Sequence, residues 1–246
     1  MRINDSDTEH RLQTFQQSFL SLLEAEDREG CVQFALEGLD AGEFTIPELY
    51  ETIVAPSLSQ SETCSLGNDG CIWREHVKTA IVRTLVESCW TRVMEASKSL
   101  VARNETVLVL CPEKELHELG ARMVADFFTL HGYKSVFIGA NTPREQIRAA
   151  VTTEKPAVLA VSVTDYFNLV EAGKAIARLR ETLSSQGLSG TRIFVGGHAF
   201  SENPDMVRQI RADGLLRTYE DIGSLMKACT GTLSDSGAES GKEGQA

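Results

Sequence analysis

Between residues 106 and 218, five short apolar runs alternate with longer amphipathic stretches, and few architectures tolerate that pattern. The runs are "TVLVL" (106–110), "SVFIG" (135–139), "AVLAVS" (157–162), "RIFVG" (192–196) and a weaker "GLLRT" (214–218). They are apolar at nearly every position rather than at every second one, which suits strands covered on both faces, as in a parallel sheet. Helical stretches at about 116–131, 143–153, 169–184 and 204–212 separate them. Strand then helix, repeated through residues 104–230, predicts an α/β unit: a flavodoxin-like, doubly wound parallel sheet of five strands. In such sheets ligands bind beyond the carboxyl ends of the strands.

The first hundred residues carry only helical periodicity. In 9–26, Leu12, Phe15, Phe19, Leu22 and Leu23 recur at the spacing of one helix face. Further helices are expected at 28–41, at 45–58 with Pro47 in the first turn, and at 73–101, the last unusually long. The polar, glycine-containing "SQSETCSLGNDG" (59–70) reads as a loop, and the whole of 9–102 as a four-helix bundle with Trp90 in its interior. The last sixteen residues, 231–246, hold almost nothing to bury and read as a disordered tail.

Composition narrows the function classes. A net charge of −11 argues against a nucleic-acid surface, which needs clustered Lys and Arg. No apolar run approaches the roughly 20 residues that span a bilayer, and no signal peptide is recognisable, so a cytoplasmic protein with no membrane contact is expected. Cysteines 31, 64, 71, 89, 111 and 229 lack paired spacing and are expected as reduced thiols.

Three strand-end loops are unusual: "CPEKELHELG", "SVTDYFN" and "GGHAF". His117 lies in the first, with Glu115 near enough to fix its tautomer and make the other nitrogen a better metal donor. Gly120 removes a side chain where a bulky group could approach the backbone. Ser162 and Thr164 follow the third strand; Gly196, Gly197 and His198 follow the fourth. One imidazole and one carboxylate are too few ligands for bare zinc or iron. A metal that arrives already held by a macrocycle, and lacks only an axial ligand, fits that deficit.

Glu115-x-His117-x-x-Gly120, Ser162-x-Thr164 and Gly196-Gly197 together resemble the cobalamin-binding domain, whose usual signature is Asp-x-His-x-x-Gly, Ser-x-Leu or Ser-x-Thr, and Gly-Gly. The resemblance covers nearly all of 104–220. It implies that His117 replaces the cofactor's own base as lower ligand of cobalt, that Glu115 and Ser162 form a relay behind it, and that Gly196 and Gly197 admit the displaced nucleotide tail. Glu115 stands where Asp is commoner.

The family's helical cap resembles 48–60 and 73–88 here, with Glu75-His76 opening a long helix. In light-responsive cobalamin regulators such a cap encloses an adenosyl group, and a histidine of a Glu-His pair binds cobalt after photolysis. That resemblance implies a sensor that prefers adenosylcobalamin, with Trp73, Glu75 and His76 on the upper face and His76 a second cobalt ligand. The alternative is a corrinoid methyl carrier of a methyltransferase system, using methylcobalamin. Ser65 stands where sensors usually carry a Trp, and no DNA-binding segment is expected ahead of the bundle. The implied partner is therefore a protein, and homo-oligomerisation stays open.

Overall fold

The computed structural model describes residues 5–61, 71–202 and 204–224. The expected tail at 231–246 and most of the expected loop at 59–70 lie outside them, as do the side chains of Cys64, Cys71 and Cys229.

The helical half begins with α1 (Asp5–Glu24) and α2 (Arg28–Ala41). The Asp27 side chain caps α2 by accepting from the Gly30 N–H, and Gly42, in the left-handed region, ends it. A capping box of Thr45 and Glu48, with Pro47 in the first turn, starts α3 (Ile46–Glu48). This helix runs through a π-helical segment, Leu49–Val54, into α4 (Ala55–Ser61).

The expected long helix at 73–101 is instead two, α5 (Cys71–Ser88) and α6 (Trp90–Ser97). Ser88 and Thr84 hydroxyls each donate to the carbonyl four residues back, a habit that bends helices, and the Cys89 N–H is shared between Leu85 and Val86. The break turns Trp90 outward. It is 41% exposed, with the Arg122 guanidinium over its ring, and is not the interior residue the sequence suggested.

The second half is a five-stranded, all-parallel sheet in the order β2-β1-β3-β4-β5. Its strands are β1 (Thr106–Pro112), β2 (Lys134–Thr142), β3 (Val158–Ser162), β4 (Arg192–Gly196) and β5 (Gly214–Leu216). This is the flavodoxin-like order, and its switch point lies between β1 and β3. The linking helices are α7 (Leu119–Thr129), α8 (Arg144–Glu154) and α9 (Leu169–Ser185). The single helix expected at 204–212 is replaced by α10 (His198–Glu202) and α11 (Met206–Gln209).

Strand alternation divides the apolar residues between two cores. Val107, Val109 and Cys111 of β1, with Ala160 of β3 and Phe194 of β4, join one cluster with α7 and the helical half. Leu108, Leu110, Leu159, Val161, Ile193 and Val195 point the other way, onto α8 and α9. The helical half therefore closes over one sheet face that α7 covers only in part.

Candidate functional site

The loop that follows β1 does not enter α7 directly. Residues 113–118 fold back at the sheet's carboxyl edge, so the helix expected from 116 starts only at Leu119. Lys114 and Asn141 both take positive φ, +74° and +47°, a strained arrangement of the kind that collects at working sites. Asn141 stabilises it: its side chain accepts from the Lys114 N–H at 2.8 Å and its N–H donates to the Glu115 carbonyl at 2.8 Å.

This fold buries Glu115 completely. Its Oε1 accepts from His117 Nδ1 at 2.7 Å and from the His117 N–H at 2.9 Å. Its Oε2 accepts from the N–H groups of Thr164 at 2.9 Å and Asp165 at 3.0 Å, and from Asn168 Nδ2 at 3.2 Å. Burial alone would raise this carboxyl, but the His117, Asp165 and Asn168 bonds outweigh it and hold the group at about 2. Glu115 is thus a fixed carboxylate. The same bond raises the His117 pKa, against the effect of burial, and the Glu75 and Asp165 charges add to the rise.

The His117 side chain is 53% exposed. With Nδ1 committed to Glu115, Nε2 is the nitrogen left for a ligand. His117 lines a cavity of about 920 Å³, at the top of the range for ligand sites. The cavity lies between the helical half and the sheet, and passes Ala160, Phe127 and Leu216 at its inner wall.

Most of the expected site residues meet here. Gly120, Ser162, Thr164, Gly196, Gly197 and His198 line the cavity from the α/β side, and Glu75 and His76 from α5. A Cβ on Gly120 would meet nothing within 4 Å, so that wall is open. Trp73 is the exception: it is 52% exposed, lies beside the Arg74 guanidinium, and does not line the cavity. It lies at the start of α5, one turn before Val77, which borders a separate groove against α2. Among the described residues the Ser162 hydroxyl is not one of the donors to Glu115, whereas the Asn168 amide is.

Other residues of the site had no signal in the sequence reading. Glu118 accepts from Arg83 of α5 and from the Ala140 N–H, which ties the two halves together at the cavity wall. Tyr50, in the π-helical segment, lines the cavity and donates its hydroxyl to Asp126 of α7 at 3.0 Å. Among the described residues no three His, Cys, Asp or Glu side chains converge as a metal site, so a metal here would need other ligands of its own.

No curated protein matches the chain. Its fold is similar to that of the monomethylamine corrinoid protein of Methanosarcina barkeri, at a TM-score of 0.66 and 14% identity over 90% of this chain and 98% of that one. The methanol:cobalamin methyltransferase complex of Methanosarcina barkeri aligns at a TM-score of 0.46 and 18% identity, over 94% of this chain and 86% of that one. A cobalamin-binding protein of Desulfitobacterium hafniense aligns at 0.44 and 14%, over 86% and 97%. Residues 105–222, which run from the start of the sheet to the helical turn after β5 and include both the His117 loop and the glycine pair, match the model of the B12 binding domain.

Proposed function

We propose that this protein is a corrinoid carrier, which holds cobalamin between its two halves with His117 on cobalt and serves a partner methyltransferase. One observation carries the reading: a half-exposed imidazole whose Nδ1 is held by a buried carboxylate, leaving Nε2 toward a large cavity at the β1/β3 switch point. The residues suit the group. A single nitrogen donor matches a metal that brings its equatorial ligands, and the open space at Gly120 leaves room beside the first turn of α7. Bound there, a corrinoid supplies a cobalt centre able to accept and release a one-carbon group. The chain's part would be to orient the imidazole with Glu115, to wall the cavity with α5 and to limit the access of bulk water. The likeness in fold to a corrinoid protein over both halves of the chain supports this reading.

A specific observation keeps a second reading in view. Glu75 and His76 line the same cavity from α5, on the side away from the sheet, as an adenosylcobalamin-dependent light sensor would require. Trp73, the third residue of that set, lies outside the cavity lining, which weakens the sensor.

The test is to load apoprotein with methylcobalamin and, separately, with adenosylcobalamin, and to record absorption spectra in the dark and after green illumination. The carrier reading expects a histidine-ligated spectrum that His117→Ala abolishes, and methyl transfer to or from a corrinoid-dependent methyltransferase. A bis-histidine photoproduct, lost in His76→Ala, would favour the sensor. No change of spectrum in His117→Ala would remove the shared premise.

A further inference from the structure

Glu115 accepts from five donors: the His117 ring and backbone, the backbone N–H groups of Thr164 and Asp165, and the Asn168 amide. A carboxylate offers about four lone-pair positions. The group is saturated, and a further hydroxyl has no place on it. Ser162, the last residue of β3, pairs with Gly196 across the sheet and lines the cavity with its hydroxyl uncommitted to Glu115.

Asn168 is placed differently. It is buried at the end of a short turn that begins where β3 ends, and its Nδ2 donates to Glu115 Oε2 at 3.2 Å and to the Lys114 carbonyl at 3.4 Å. One amide thus bridges the loop after β1 and the loop after β3, across the switch point. The turn supports it independently: Asp165 accepts from the Phe167 N–H at 2.9 Å, and the Asn168 N–H donates to the Asp165 carbonyl at 3.0 Å. Tyr166 and Phe167 point outward, Phe167 at 85% exposure, so Asn168 is the side chain by which this turn grips the site.

We infer that Asn168, carried by the 164–168 turn, is the positioning residue that fixes Glu115 and through it the His117 tautomer, in the role that the relay pattern gives to Ser162. This deepens the cofactor reading, which it needs only for the identity of what His117 holds. Ser162 is left with a hydroxyl facing the cavity rather than the carboxylate.

Two measurements separate these roles. In ¹⁵N-labelled apoprotein, long-range imidazole spectra report which ring nitrogen carries the proton. Wild type and Ser162→Ala should both show the Nδ1–H form of neutral His117. Asn168→Asp keeps the shape but removes both donors and sets an oxygen against Glu115 Oε2, and should mix the tautomers. Asn168→Ala removes the donors without adding charge, and serves if the aspartate variant does not fold. In cobalamin-loaded protein, the Asn168 variants should bind cobalt through His117 about 10 to 100 fold more weakly, seen as a shift toward the spectrum without protein nitrogen.

A tautomer change in Ser162→Ala, or unchanged tautomers in the Asn168 variants, would overturn the assignment. If wild-type protein took up no cobalamin, the apoprotein spectra would still decide the role of Asn168, and only the cofactor reading would fall.

Discussion

A Cβ placed on Gly197 would lie 2.3 Å from the Val163 carbonyl oxygen, and the residue sits at φ +99°. Whatever enters the cavity, the backbone itself demands glycine there. Gly197→Ala should therefore cost the apoprotein about 1–3 kcal/mol in denaturant titrations. A tail-admitting role alone predicts an apoprotein as stable as wild type. Gly120 is the opposite case: it is helical and meets nothing, so Gly120→Ala should stabilise the apoprotein by about 0.5–1 kcal/mol. Glu115→Ala leaves His117 unsupported, so with cobalamin bound as proposed it should weaken the bond from His117 to cobalt about 10 to 100 fold, read by spectral titration. His117 and Glu115 were legible in the sequence because they lie two residues apart on one strand-end loop. Asn141, Asn168 and Glu118 were not, since each acts on a partner at least 22 residues distant that only the fold brings near. Asn168 belongs to the strand-end segment "SVTDYFN", but nothing in its spacing says that the amide turns inward.

Among the elements, the strands were the most readable, because runs apolar at every position have few uses outside a sheet covered on both faces. Helix boundaries were less so. Periodicity carries 73–101 through Cys89, where hydroxyl back-bonding and a shared N–H end α5; it likewise misses that 113–118 folds back before α7. The π-helical segment places Tyr50 so that its buried hydroxyl reaches Asp126, itself paired with Arg122. Tyr50→Phe leaves part of that buried carboxylate without a donor and should cost about 1–3 kcal/mol. Equilibrium unfolding checks it; a loss near zero would mean that Arg122 suffices. In the first turn of α2 and just past the end of α5, burial raises the Cys31 thiol to about 11 and the Cys89 thiol to about 12. Both should resist alkylation at neutral and mildly alkaline pH and label only on unfolding, as mapped by peptide mass spectrometry.

For the whole molecule, one apolar cluster runs from Phe19 and Leu23 of α1 through Phe128 of α7 to Phe194 of β4. Two halves that differ in sequence pattern thus share a core, and they should unfold together. Far-UV circular dichroism and the fluorescence of Trp73 and Trp90, both in the helical half, should give coincident transitions. Phe128→Ala should move both by about 3–5 kcal/mol, whereas separate midpoints would mean that the halves are independent. The shared cluster also has a consequence in time. The ribosome delivers the helical half first, and at about 5–20 residues per second the β3–β5 strands emerge on the order of ten seconds later. Through that interval α1, α4 and α5 present to the cell an apolar face whose complement has not yet been made.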